Sequence, residues 1–140
     1  MKTTIATIII ATMSIYTIAA EISSDFLYRL AKVESNCDDM AVNESSGATG
    51  RYQITQPYLD DANKFLGTSY SLSDCFDYQV AEKVVRAYLL HYGKAYEDRT
   101  GETATAVVLA RIHNGGPRGA EKPATADFGT AFLDLVGVGE

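Results

Sequence analysis

Beyond about residue 20, the apolar positions of this chain recur at helical spacing rather than alternating. In "SSDFLYRLAKVES", Phe26, Leu30 and Val33, with Leu27 and Ala31 beside them, form one helical stripe. Ser23 or Ser24 stands ready as the N-cap. A polar, glycine-containing stretch follows from Asn36 to Gly50, and then the short "RYQIT". "QPYLDDANKFLG" reads as a helix with Pro57 in its first turn and Gly67 just past its end. The clearest helix is "DCFDYQVAEKVVRAYLLHYGKAY", where Val80, Val84, Tyr88 and Tyr92 repeat every four residues beside Ala81, Val85 and Leu89. A fourth helix is predicted from about Glu102 to His113 and a fifth from Thr125 to Val136. With no repeats, linkers or low-complexity tracts, these elements make one compact, predominantly helical domain.

The first twenty residues, "MKTTIATIIIATMSIYTIAA", differ in kind. One Lys near the start, an apolar run around Ile8 to Met13 and the small residues Ala19 and Ala20 have the layout of a secretory signal peptide. An uncleaved N-terminal anchor is the alternative reading. Residues 1–20 are thus expected to be a signal peptide cut near Ala20, and 21–140 a single domain, secreted or periplasmic. No second apolar run is long enough to span a bilayer, so the mature product is expected to lack a membrane span and to be a monomer. In an oxidising compartment the two cysteines, Cys37 and Cys75, are expected to form a disulfide. No further ligands stand at zinc spacing around them, so neither a metal nor another cofactor is expected.

Charge narrows the function. The chain carries 12 basic and 18 acidic residues, and losing Lys2 with the leader takes its net charge from −6 to −7. No basic cluster is present, so nucleic acid is not an expected partner.

Candidate chemistry sits in two places. In "ARIHNGGPRG" (Ala110 to Gly119), a helix stop accounts for Gly115, Gly116 and Pro117 but leaves His113 and Asn114 unexplained. At the end of the first helical stripe, Glu34 follows Val33 and lies four residues after Leu30, a position facing partly toward the core or a cleft floor. Desolvation favours the protonated form of a carboxyl, the form a general acid needs. An ordinary surface Glu near a helix end is the competing reading. Ten residues on, Glu44 lies in a polar, turn-prone segment, and Asp38 and Asp39 are further acids nearby. One apolar and one wet carboxylate across a cleft is the arrangement of glycosidases.

"VES" followed by "SGATGRYQIT" resembles the core of the lysozyme superfamily, in which a Glu ending a helix precedes a Gly-x-x-Gly-x-x-Gln-Ile turn, here Gly47, Gly50, Gln53 and Ile54. Soluble lytic transglycosylases share that element. "ARIHNGGPRG", with "YQITQPYLDDA" and "RAYLLHYGKAY", is similar to the invertebrate-type lysozymes, over about Leu27 to Lys122. The resemblance implies an α+β, predominantly helical lysozyme-like fold with a small β element around residues 48–55. It places Glu34 on the catalytic general acid, and Tyr52, Gln53 and Ile54 on the strand lining a sugar cleft. It places His113, Asn114 and Gly115 on the opposite wall. Cys37 falls where the family has a cysteine just after the catalytic Glu. The chain departs from the family in keeping only two cysteines, and in holding Asn43 and Glu44 near where the second catalytic Asp is expected. Either Glu44 substitutes or Glu34 works alone.

The expected function is therefore a secreted peptidoglycan glycosidase cleaving the β-1,4 bond between N-acetylmuramic acid and N-acetylglucosamine in glycan strands. The alternatives are a lytic transglycosylase giving 1,6-anhydro products and a non-catalytic peptidoglycan-binding module of an export or conjugation apparatus. Isopeptidase activity, known in the family, lacks an identifiable nucleophile here. A net charge of −7 repels an anionic wall slightly, which favours local, dedicated action over broad killing.

Overall fold

The computed structural model describes residues 2–135, and within them six α-helices carry the architecture. They are α1 (Lys2–Glu21), α2 (Ser24–Ser35), α3 (Gln56–Leu66), α4 (Tyr78–Thr100), α5 (Ala106–Gly115) and α6 (Ala126–Asp134).

Local chemistry sets the boundaries of the helices around the site. The Ser23 side chain caps α2 by accepting from the Phe26 amide, and the helix ends at Asn36, whose amide reaches back to the Ala31 and Lys32 carbonyls. Pro57 enters α3 in its first turn and Gly67 closes it in the left-handed conformation, as the sequence pattern implies. The stretch expected to be one long helix from Asp74 onward is divided. A 3₁₀ turn spans Leu72–Phe76, Asp77 is extended, and α4 starts afresh at Tyr78 with the Asp77 carboxylate accepting from the Gln79 amide. α5 starts later than predicted and α6 covers most of its predicted span; Val136 lies outside the described residues.

The core is built on the faces that the periodicity marks. Phe26, Leu30 and Ala31 of α2, Leu59 and Ala62 of α3, and Ala81, Val84, Val85 and Leu89 of α4 are fully buried. Leu109, Ala110 and Ile112 of α5 and Phe132 of α6 join them. α3 packs along α4, with the Tyr58 ring stacked on Tyr88 at 3.6 Å between centroids. α1 also lies along α4. Its Ile18 is buried in the core, and the Ser14 hydroxyl donates to the Glu97 carboxylate.

Two expectations change here. Among the described residues there is no strand at 48–55. The segment holds only two isolated antiparallel bridges, Val42 with Thr49 and Thr49 with Ile54. The cause is local: Gly47, Gly50 and Gln53 all have positive φ, so turn residues interrupt the ladder before a second pair can form. Gly50 cannot be replaced without cost. Its φ is +76°, and a Cβ there would stand 2.5 Å from the Cys75 carbonyl oxygen. The second change concerns the cysteines. Cys37, half-buried, and Cys75, buried, are both free thiols in the structure.

Candidate active site

Glu34 stands in the last turn of α2, beside the point where the chain leaves the helix. Asn36 and Cys37 are consecutive left-handed residues, with φ of 58° and 64°, and they turn the backbone sharply away. The Ser35 hydroxyl donates to the Arg51 carbonyl at 2.8 Å, tying this helix end to the bridged turn at 49–54. An ion pair between Arg51 and Asp39, at 2.7 Å, holds the loop from the other side.

The Glu34 side chain is 15% exposed and meets His113, which comes from the last turn of α5 and is 2% exposed. His113 Nε2 lies 3.2 Å from Glu34 Oε1 and 2.9 Å from the Tyr52 carbonyl oxygen. On its other side, Nδ1 lies 3.0 Å from the Tyr58 hydroxyl. Burial, with Tyr88 and Glu34 nearby, pushes Tyr58 well above the usual phenol range, so it keeps its proton. Tyr88 is raised as well, first by burial and then by Tyr92 and Asp61.

These groups open onto a cavity of 390 Å³, roomy enough for sugar rings and walled by polar side chains. Glu34, Asn43, Gln53, Asp61, His113 and Asn114 supply its hydrogen-bonding groups, while Tyr58 and Tyr88 supply aromatic surface. A larger cavity of 680 Å³ lies between α1, α3 and α4, but its lining around Phe65, Leu90 and Ala95 is mainly apolar and remote from Glu34. The chemistry belongs to the smaller one. Among the described residues no cluster of His, Cys, Asp and Glu is arranged to hold a metal ion.

The sequence-derived residues divide into two sets. Glu34, Gln53, His113 and Asn114 meet at the cavity. Tyr52 and Ile54 are buried in the core, Tyr52 contributing its carbonyl to His113, and Gly115 is not among the lining residues. A Cβ on Gly115 would stand 2.4 Å from the Thr125 side chain, so that glycine serves close packing. Glu44 is exposed on the turn after Asn43, and Asn43 rather than Glu44 lines the cavity. The Asn43 side-chain oxygen accepts from the amides of Ser45 and Ser46 and shapes that turn.

Three contributors were absent from the sequence reading: Tyr58, Asp61 and Tyr88. Asp61 lines the cavity and its Oδ2 accepts from the Tyr92 hydroxyl at 2.6 Å. A signal for them exists, because Tyr58 and Asp61 sit three residues apart on one face of α3, as Tyr88 and Tyr92 sit four apart on α4.

Comparison with known proteins agrees with this geometry. The family model described as Destabilase matches residues 23–134. A lysozyme of Magallana gigas is 38% identical over 111 residues, covering 78% of this chain and 77% of that protein. Invertebrate-type lysozyme 6 of Caenorhabditis elegans is 36% identical over 121 residues, covering 81% and 86%. The crystal structure of Tapes japonica lysozyme superposes with a TM-score of 0.67 at 27% identity, covering 82% of this chain and 91% of that one. Helix order, a Glu–His pair on a polar cleft and a match across residues 23–134 together place this chain in the Destabilase family, among the invertebrate-type lysozymes.

Proposed function

We infer that this protein is a lysozyme-type glycoside hydrolase acting on peptidoglycan, cleaving the β-1,4 bond between N-acetylmuramic acid and N-acetylglucosamine. The observation that carries the reading is the mostly buried Glu34 on the floor of the polar cleft, in contact with His113. In the reaction Glu34 gives its proton to the glycosidic oxygen as the C1–O bond breaks and the electron pair leaves with that oxygen. An oxocarbenium-like centre develops on the sugar, and water completes hydrolysis.

For the second carboxylate we propose Glu44, on the turn beside Asn43, and set Asp61 on the cleft wall against it as the competing position. Glu44→Gln and Asp61→Asn, assayed side by side, separate the two. The variant that loses hydrolysis identifies the residue; two active variants mean that Glu34 works alone. We also propose that residues 1–20 are a signal peptide cut near Ala20 and that the mature domain is secreted as a monomer. The family match beginning at residue 23 supports this boundary. No single helix among the described residues is long and apolar enough to cross a membrane.

One observation favours a second reading, a lytic transglycosylase: among the described residues Glu34 and Asp61 are the only carboxylates lining the cleft, and Asp61 is already engaged by Tyr92. Mass spectrometry of the muropeptides released from purified peptidoglycan decides between the two. Reducing ends are expected; 1,6-anhydro ends would establish the transglycosylase instead, and binding without any released fragment would contradict both.

A further inference from the structure

The Tyr58 hydroxyl lies on the far side of His113 from Glu34, 3.0 Å from Nδ1. We propose that Tyr58 is a positioning residue: it holds His113 as the neutral Nε2–H tautomer and thereby fixes which oxygen of Glu34 carries the catalytic proton. The inference rests on the assignment of Glu34 as the general acid.

His113 Nε2 faces two oxygens, the Tyr52 carbonyl at 2.9 Å and Glu34 Oε1 at 3.2 Å. A backbone carbonyl can only accept, so Nε2 must carry a proton. In a neutral imidazole the other nitrogen is then a bare acceptor, and the Tyr58 hydroxyl, 3.0 Å from Nδ1, is the donor that satisfies it. A second proton on Nδ1 would turn donor against donor, unless Tyr58 swung its own proton away into the packed interior. The ring itself is fixed, with Tyr88 stacked on it at 12° between planes and the His113 ring edge-on to it at 5.2 Å, so the hydroxyl oxygen stays at Nδ1. Burial also keeps the phenol in its protonated, donating form.

Two consequences reach Glu34. Its Oε1 faces an N–H, so the proton sits on Oε2. The carboxyl also has a neutral imidazole beside it rather than an imidazolium, which would hold it as the carboxylate, a form unable to donate. The titratable groups facing His113 are Glu34 from α2 and Tyr58 from α3, with Tyr88 of α4 behind Tyr58. Asp61, on the same cleft, is held by Tyr92.

The test has two parts. Nitrogen-15 NMR of the intact protein, which contains only one other histidine, His91, reads the tautomer directly. His113 is expected to show a protonated Nε2 and a bare Nδ1 under the conditions of the activity assay. Tyr58→Phe keeps the ring stack and removes only the donor. In that variant the His113 spectrum is expected to lose the single Nε2–H signature. With Glu34 no longer held in one arrangement, kcat should fall while KM stays unchanged. An imidazolium or an Nδ1–H tautomer in the unaltered protein would overturn the proposal. So would a Tyr58→Phe variant whose His113 spectrum and kcat coincide with the parent's. If Glu34→Gln still cleaved peptidoglycan, the assignment of the acid would fall, while the NMR result would decide the tautomer on its own.

Discussion

At the scale of single residues, the site depends on what surrounds each polar atom. Glu34 and His113 are chemically ordinary until α2, α3 and α5 bring them together with Tyr58 and a backbone carbonyl. Cys75 shows the same dependence in a group outside the cleft. Burial, with Asp74 nearby, raises its thiol from 9.0 to about 11. An acid raised by folding stays protonated in the native state while the unfolded chain ionises. Its contribution is therefore complete below pH 9 and is lost as pH rises toward 11, at about 2 kcal/mol. Urea unfolding at rising pH should show that decline, and Cys75→Ala should make it shallower, the buried tyrosines supplying the rest; identical slopes would contradict the burial argument. With Cys37 and Cys75 both free, the unfolded, unreduced protein should show two reactive thiols, against none if the cysteines are bridged.

Glu34, His113 and Asn114 were legible in the sequence because each stands beside a punctuation mark, a helix end or a glycine-rich stop. Tyr58 and Asp61 were not, because they lie inside an ordinary amphipathic helix. Nothing local distinguishes a tyrosine that packs from one that packs and also donates a hydrogen bond to a histidine 55 residues away.

At the scale of elements, helical periodicity located every α-helix after α1, and side-chain caps set the starts of α2 and α4. Asp77 was read as a helical residue because the apolar period runs through it. A carboxylate able to cap the next helix is worth more there than one further turn, so the 3₁₀ turn and α4 separate. The bridged turn at 49–54 went the other way, its left-handed residues preventing the expected strand. The helix stop after His113 is held by close backbone approach. A Cβ on Gly119 would lie 2.0 Å from the Arg111 carbonyl oxygen. Gly119→Ala should therefore destabilise the fold by about 1–3 kcal/mol in urea unfolding and lower activity by displacing α5, whereas an unchanged midpoint would show that the contact relaxes freely.

At the scale of the whole molecule, two properties set how the enzyme meets its substrate. α1 contributes Ile18 to the core, yet the helices that build the cleft are all supplied by residues beyond it. A chain starting at Glu21 should fold cooperatively and retain full activity, and loss of the cooperative transition would show α1 to be part of the working domain. The second property is charge. At −6 overall the protein is repelled by an anionic wall, so raising salt toward physiological strength, where the Debye length is about 8 Å, should increase the rate of lysis of whole cells. A fall in rate would instead indicate a local cationic contact with the wall.

The most direct test of the central claim is the release of reducing ends from purified peptidoglycan by Glu34→Gln, with thermal unfolding measured in parallel. The substitution keeps the shape of the side chain and removes the transferable proton. With the fold intact, the rate should drop roughly 10²- to 10⁴-fold, the usual worth of a positioned general acid. A folded Glu34→Gln protein that cleaves at the parental rate would contradict the account.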